Sequence, residues 1–455
     1  MQIPLSAILI ILGIGSLLLA PLLFLPTLRR GVWAIKNIPR FSWPVLILFA
    51  LLFWPNDPGQ AYAGDVQLGM QRLFRVAIMS GLFLFLLRRF MKAAIWFKPS
   101  ILNFYLLYVV ACFGSVAYAP DWQESLWKSI ELVVVFMFAV VVRADLRRGL
   151  FQVDDVVALY TLLLFVAVLF ALVAWLTFPS YAVEQWTFEE SESLSKSLGG
   201  VVPRVNPNSL GQFSAMLLFA GIASWVFRGR LSKENIALIA VGGTALILAH
   251  ARTSSVAVIV LTVALLVISK RGASKLMLGG IVAAGILSVA VVVEFFLRGQ
   301  DVDMLMSMSG RTEMWTIAWP VIQENPWFGI GIGGHKKLDI SLGMEFSSLD
   351  STYVEAMVGV GLIGTSFLVM FVLVAVLRTS ALAMRSLRSK AAPHFFCLIA
   401  GGFVFLMFVR SLVGPSFQLL HWNLVMLLTL VVAMLESGRG MKKSLAGQRL
   451  AANRK

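Results

Sequence analysis

Long apolar blocks recur along this chain from end to end, near residues 3–26, 42–54, 74–88, 100–118, 125–142, 155–178, 209–227, 236–250, 253–269, 276–297, 353–377, 394–412 and 416–435. A helix needs roughly 20 apolar residues to cross the hydrocarbon of a bilayer. Inside lipid each backbone N–H and C=O must find its partner within the protein, which leaves helices as the solution for segments of this kind. The expectation is an all-α, polytopic membrane helix bundle of about 12 to 13 transmembrane helices. Residues 1–436 read as a single transmembrane domain and 437–455 as a basic cytoplasmic tail, disordered at an anionic leaflet. The blocks 42–54, 74–88 and 236–250 are short for a span, and one of them, or the first, reads as re-entrant or interfacial. No signal-peptide cleavage site follows the first block, which reads as a retained span.

Composition agrees. The chain is 59% hydrophobic and 13% charged, where a soluble domain carries about a quarter charged residues. The formal charge of +15 raises the possibility of nucleic acid, but no long extramembrane domain exists to hold a groove. The two cysteines, Cys112 and Cys397, sit in apolar blocks and form no motif.

The positive charge records topology instead. Basic residues cluster in alternate loops: Arg29, Arg30, Lys36 and Arg40; Arg88, Arg89, Lys92 and Lys98; Arg143, Arg147 and Arg148; Arg228, Arg230 and Lys233; Lys270, Arg271 and Lys275; Arg378, Arg385, Arg388 and Lys390; and the tail from Arg439. An excess of Lys and Arg marks the cytoplasmic side. The N-terminus is therefore expected outside the cytoplasm and the C-terminus inside. Two large loops, 179–208 and 298–352, and the short turn "HARTSS" at 250–255 then lie on the outer side.

Outer residues near membrane level are the candidates for chemistry. Arg252 is caught between two apolar blocks with almost no loop to carry it into water. A charge near hydrocarbon is costly unless it snorkels or pairs, and is a functional-site hypothesis by default. Arg204, Arg311 and Arg410 stand at similar levels, the last read as structural. Guanidinium forks suit phosphate and carboxylate oxygens, and at an outer membrane surface a lipid phosphate or diphosphate is the natural partner. Asp301 and Asp303 form a two-residue D-x-D pattern, read as a solvated acidic loop. Asp350 and Glu355 flank Tyr353 where an apolar helix begins, with Asp350 placed as a helix cap. His250, His335, His394 and His421 are scattered and offer no ligand set, and no H-E-x-x-H or G-x-S-x-G occurs. The glycines of "WFGIGIGG" read either as an anion cradle or as a tight turn. A transporter would place buried charge at mid-membrane; Glu131 and Glu294 fall near or within spans, and no basic residue is read deep in one.

In chain order, "RVNPNSLGQ", "AHARTSS", "GRTEMWTIAWPVIQENPWFGIGIGG" and "DSTYVEAMVGVGLIG" resemble the motifs of the bacterial O-antigen ligase and polymerase superfamily, over roughly residues 199 to 365. The resemblance implies metal-independent glycosyl transfer, without a cofactor, on the outer face of the inner membrane. The implied donor is an oligosaccharide on undecaprenyl diphosphate, and a chain-length regulator is an implied partner; nucleic acid is not. It assigns Arg252 and Arg311 to the diphosphate, and Arg204, Asn206, Asn208, Tyr353, Glu355 and Trp315 to substrate contacts, with Trp327 as a further packing or stacking face. Where the ligases carry a histidine ahead of the last motif, this chain has Asp350, followed by Ser351 where they carry asparagine. The family's later glutamate falls at Gly359. Asp350 thereby becomes the candidate base for the acceptor hydroxyl, though a carboxylate with a reference pKa near 3.9 is a weaker base than histidine. That departure favours a polymerase joining repeat units over a ligase acting on lipid A-core.

Overall fold

The computed structural model describes residues 5–52, 70–93, 100–188, 191–269, 311–334, 349–389 and 395–452. The block 276–297, the pair Asp301 and Asp303, Glu294, His335 and His394 lie outside these residues. The described chain is helical almost throughout, as the apolar blocks require. Among the described residues, six helices are long and apolar enough to cross a membrane, or seven if one bent pair counts as a single span.

The chain divides into two compact units, each assembled from separate stretches. The first comprises Met1–Asn37, Val153–Thr316 and Val376–Val413. It contains α1 (Leu5–Leu22), α2 (Pro26–Asn37), α7 (Val153–Thr177), α8 (Pro179–Ala182), α9 (Pro207–Arg228), α10 (Lys233–Leu248), α11 (Arg252–Ile268) and α14 (Phe395–Leu412). It also takes the start of α12 (Arg311–Glu324) and the end of α13 (Thr352–Ser389). Helix α7 is apolar on all sides and is buried along nearly its whole length, as such a helix must be. Small residues let its neighbours close in: a Cβ on Gly242 of α10 would stand 2.7 Å from the backbone of Ser214 and Leu218 in α9.

The first apolar block is not one straight span. Helix α1 ends at Leu22 and α2 leaves at 109° to it, consistent with the interfacial alternative. Helix α2 buries Thr27, Leu28, Gly31 and Ala34 and exposes Arg29, Trp33 and Lys36. Arg30 fastens it to α7, with Nε 2.8 Å from Asp155 and Nη1 3.0 Å from Asp154. The Thr27 N–H donates to Glu234 Oε1 at 2.6 Å. These residues come from loops that the charge pattern assigns to one side, and they do meet at one end of the unit.

At the other end of α9, a hairpin of β1 (Val183–Phe188) and β2 (Ser191–Leu198) and a two-residue ladder of β3 (Gly200–Val201) and β4 (Arg204–Val205) make up the loop 179–208. Extended backbone is tolerable there because the segment lies outside the apolar blocks.

The second unit comprises Ile38–Gln152, Ile317–Ala375 and Gly414–Lys455. Its helices are α3 (Pro39–Leu52), α4 (Met70–Lys92), α5 (Leu102–Ser115), α6 (Trp122–Arg147) and α15 (Trp422–Ala452), with the rest of α12 and the first part of α13. Helix α6 is the hub, packed by α4, α5 and α15. Of the blocks read as short, 42–54 falls in α3, whose 14 residues reach about 21 Å at 1.5 Å per residue. The block 74–88 belongs instead to the 23-residue α4.

Glu131 gains a basic partner, and two further expectations change here. Glu131 of α6 is fully buried and pairs with Arg75 of α4 at 2.8 Å, with Lys128 at 3.6 Å. That basic partner lies near the start of α4, not deep within a span. The last apolar block begins at Trp422, with residues 414–421 forming a non-helical link instead of helix from 416. The tail is not disordered up to Ala452, because α15 continues through it. At the basic end of α6, Arg143 and Arg147 both hold Glu436 of α15, at 3.0 and 2.9 Å.

Candidate active site

In the first unit, α10 turns directly into α11 through Ala249, His250 and Ala251, with His250 in the left-handed region at φ 48°. A β-carbon on Gly211, one turn into α9, would collide with the Ala251 side chain. The start of α11 is thus pressed against the start of α9. Arg252 is the first residue of α11 and Arg311 the first of α12, and both are partly buried. Burial disfavours the charged form of Arg252, and the neighbouring Arg311 charge disfavours it further. Two like charges held within electrostatic reach in a partly desolvated place gain stability when an anion joins them. Trp315 follows Arg311 by one helical turn and is partly buried.

The other expected contacts in this unit divide. Arg204 is exposed on β4, opposite Val201. Burial pushes the Glu184 carboxyl up from its ordinary value, and the Arg204 charge works against that shift. Asn206 caps α9, its carboxamide oxygen accepting the Ser209 N–H at 2.7 Å. That capping gives Asn206 a structural task apart from any substrate. Asn208 is exposed in the first turn.

In the second unit, "ENPWFGIGIGG" has a definite role. Helix α13 is interrupted at Gly361, whose backbone is at φ 64° and ψ −169°. The break frees the carbonyls of Val358 and Gly359, which accept the N–H groups of Ile330 and Gly331 at 2.8 and 2.9 Å. In return Leu362 and Ile363 donate to the carbonyls of Pro326 and Trp327, at 2.8 and 3.3 Å. Ile332 donates to Ser115 Oγ at 3.1 Å and accepts from Ser125 Oγ at 2.8 Å. The Gly334 N–H turns back to the Gly331 carbonyl. The segment is stitched into a broken helix, and its glycines serve close backbone approach. The anion-cradle reading fails for the four N–H groups so engaged. Trp327 remains exposed at the surface of the stitch.

Asp350 stands just ahead of α13 in the left-handed region, at φ 49°, a conformation aspartate tolerates better than most residues. It is not the cap. The Ser351 carbonyl accepts the Glu355 N–H at 3.1 Å, so Ser351 opens the helix. Thr352 Oγ1 donates to the Gly414 carbonyl at 3.0 Å and accepts the Ser416 N–H at 2.9 Å. Tyr353 is partly buried. Glu355 is buried, with one oxygen accepting the Leu349 N–H at 3.0 Å and the other the Gln418 side-chain amide. It borders a small cleft lined by Tyr108, Ile332, Gly359, Gln418 and Leu419 among others. Gln418 and Thr352 escaped the sequence reading. A single glutamine in the apolar "GPSFQLLHW" was the available signal. Among the described residues, no three His, Cys, Asp or Glu side chains gather in a metal-binding group.

Residues 236–369 match the family described as O-antigen ligase. The matched stretch carries Arg252, Arg311, Trp315, Asp350, Tyr353 and Glu355, while Arg204, Asn206 and Asn208 precede it. Together with the fold, the match defines a multi-pass membrane protein that is similar, over that stretch, to the O-antigen ligase family. No curated protein matches the chain in sequence.

Proposed function

We propose that this protein polymerises undecaprenyl-diphosphate-linked oligosaccharide repeats on the periplasmic face of a bacterial inner membrane, with its N-terminus periplasmic and its C-terminus cytoplasmic. The observation that carries the reading is that Arg252 and Arg311 open α11 and α12 within one unit, near enough for one charge to bear on the other, at the end of that unit opposite the Arg30–Asp154–Asp155 cluster.

In the reaction, the acceptor hydroxyl oxygen attacks the anomeric carbon of the donor. The bond from that carbon to the diphosphate oxygen breaks, and the electron pair leaves with undecaprenyl diphosphate. Negative charge grows on the leaving group, where the two guanidinium groups stabilise it more than they stabilise the intact donor. Asp350 accepts the hydroxyl proton. No step assigned here uses a metal or cofactor.

Purified protein in liposomes, given lipid-linked repeat units extracted from the producing cells, tests the reading. A ladder of longer lipid-linked glycans without lipid A-core supports it. Sugar appearing only on added lipid A-core makes the protein a ligase, a reading that the description of the matched family favours. The pairing of the buried Glu131 with the partly exposed Arg75 favours a third reading, in which the protein is a transporter. Glycan crossing the liposome membrane with no change in length would establish that reading.

A further inference from the structure

The contacts of Glu355 differ from those of a substrate ligand. Both of its oxygens accept from the protein itself, one from the Leu349 N–H and the other from Gln418 Nε2. Leu349 immediately precedes Asp350, which is held at φ 49°. Gln418 is itself oriented: its Oε1 accepts the N–H groups of Ser416 and Phe417 at 3.1 and 3.2 Å, so only its amide nitrogen is left to face Glu355. Its backbone carbonyl accepts the Tyr108 hydroxyl at 2.6 Å. The link between α14 and α15 therefore braces the carboxylate, and the carboxylate braces the backbone that carries Asp350.

We infer that Glu355 and Gln418 are positioning residues for the proton acceptor Asp350. This rests on the assignment of Asp350 as the base. Neither residue touches the reacting atoms in this scheme; both act through the Leu349–Asp350 backbone.

The polarity of the pair supplies the test. Glu355→Gln sets two amide groups against each other, and Gln418→Glu sets two carboxylates against each other. Making both changes at once swaps the groups and restores each hydrogen bond. The amide introduced at position 355 accepts from Leu349 through its oxygen and donates through its nitrogen to the carboxylate introduced at position 418. That carboxylate in turn accepts the N–H groups of Ser416 and Phe417. In the liposome assay with extracted lipid-linked repeat units, each single variant is expected to lose about 100-fold in kcat. KM should stay within about twofold, as expected when ground-state binding is spared. The exchange variant should recover most of the rate. In an Asp350→Asn background, Glu355→Gln should cost nothing further, because residues acting through one another are not additive.

A raised KM with unchanged kcat for Glu355→Gln would make Glu355 a substrate ligand and overturn the inference. So would an exchange variant that inserts and folds normally yet stays slow. A further 100-fold loss in the Asp350→Asn background would also overturn it. If a single variant fails to insert, the exchange variant decides alone. Wild-type rate for Asp350→Asn sinks the base assignment whatever Glu355 does. A slow Asp350→Asn beside a fast Glu355→Gln sinks only the positioning role.

Discussion

A β-carbon on Gly361 would collide with the carbonyl carbon of Trp327. The two residues come from segments that complete each other, one supplying carbonyls and N–H groups that a broken helix cannot use, the other consuming them. Gly361 also combines φ 64° with ψ −169°, a region essentially confined to glycine, where a side chain costs roughly 1–3 kcal/mol before any clash. Gly361→Ala is therefore expected to destabilise the second unit by at least ~2 kcal/mol. The midpoint of thermal unfolding in detergent reads this directly; an unchanged midpoint would mean the stitch contributes nothing.

Arg252 and Arg311 are expected to act on one group. Replacing either by alanine should lower kcat by about 10² to 10³, and replacing both should cost far less than the product of the two. Arg252→Lys keeps the charge but loses the planar fork, and should fall between wild type and Arg252→Ala. Additive losses, measured in the liposome assay, would assign the two arginines to separate sites.

The Arg75–Glu131 pair separates scaffold from transport. Glu131→Ala leaves the partly buried Arg75 guanidinium without its carboxylate and is expected to cost about 1–3 kcal/mol of stability. Replacing both partners by methionine removes the stranded charge and should recover most of that. A double variant that folds and still forms the glycan ladder would make the pair structural. A folded double variant that loses all movement of glycan across the membrane would point to a transporter.

Docking of α2 depends on Gly31. A β-carbon there would meet the Ala158 carbonyl oxygen and the Leu162 Cβ at 2.8 Å. Gly31→Leu should lift α2 from α7 and part Arg30 from Asp154 and Asp155. The expected sign is faster labelling of a cysteine placed at Thr27, which is buried in the native unit. Unchanged labelling would show that the contact yields without separating.

Helix positions were legible because hydrophobic blocks of membrane length admit few alternatives. The grouping of Arg30 with Asp154, Asp155 and Glu234 at one end was legible for the same reason: loop charge tracks the ends of helices. Contacts were harder to see. Arg75 sits near the start of a block where basic residues ordinarily mark a boundary, and its pairing with Glu131 spans 56 positions of sequence. The glycines of "WFGIGIGG" suggested a turn or an anion site because composition does not reveal that Gly361 breaks a helix elsewhere. Asp350 read as a cap because aspartate is common both at caps and in the left-handed region. Only the Ser351 carbonyl bond distinguishes the two.

Glu436 is made long after Arg143 and Arg147. Until α15 arrives, α6 carries the buried Arg143 guanidinium without the carboxylate that later holds it. The second unit is thus unfinished until α15 joins it, and that helix acts as a closing latch. A chain cut short before residue 436 would leave that charge without its carboxylate, and α6 with a buried guanidinium that only a later helix can satisfy.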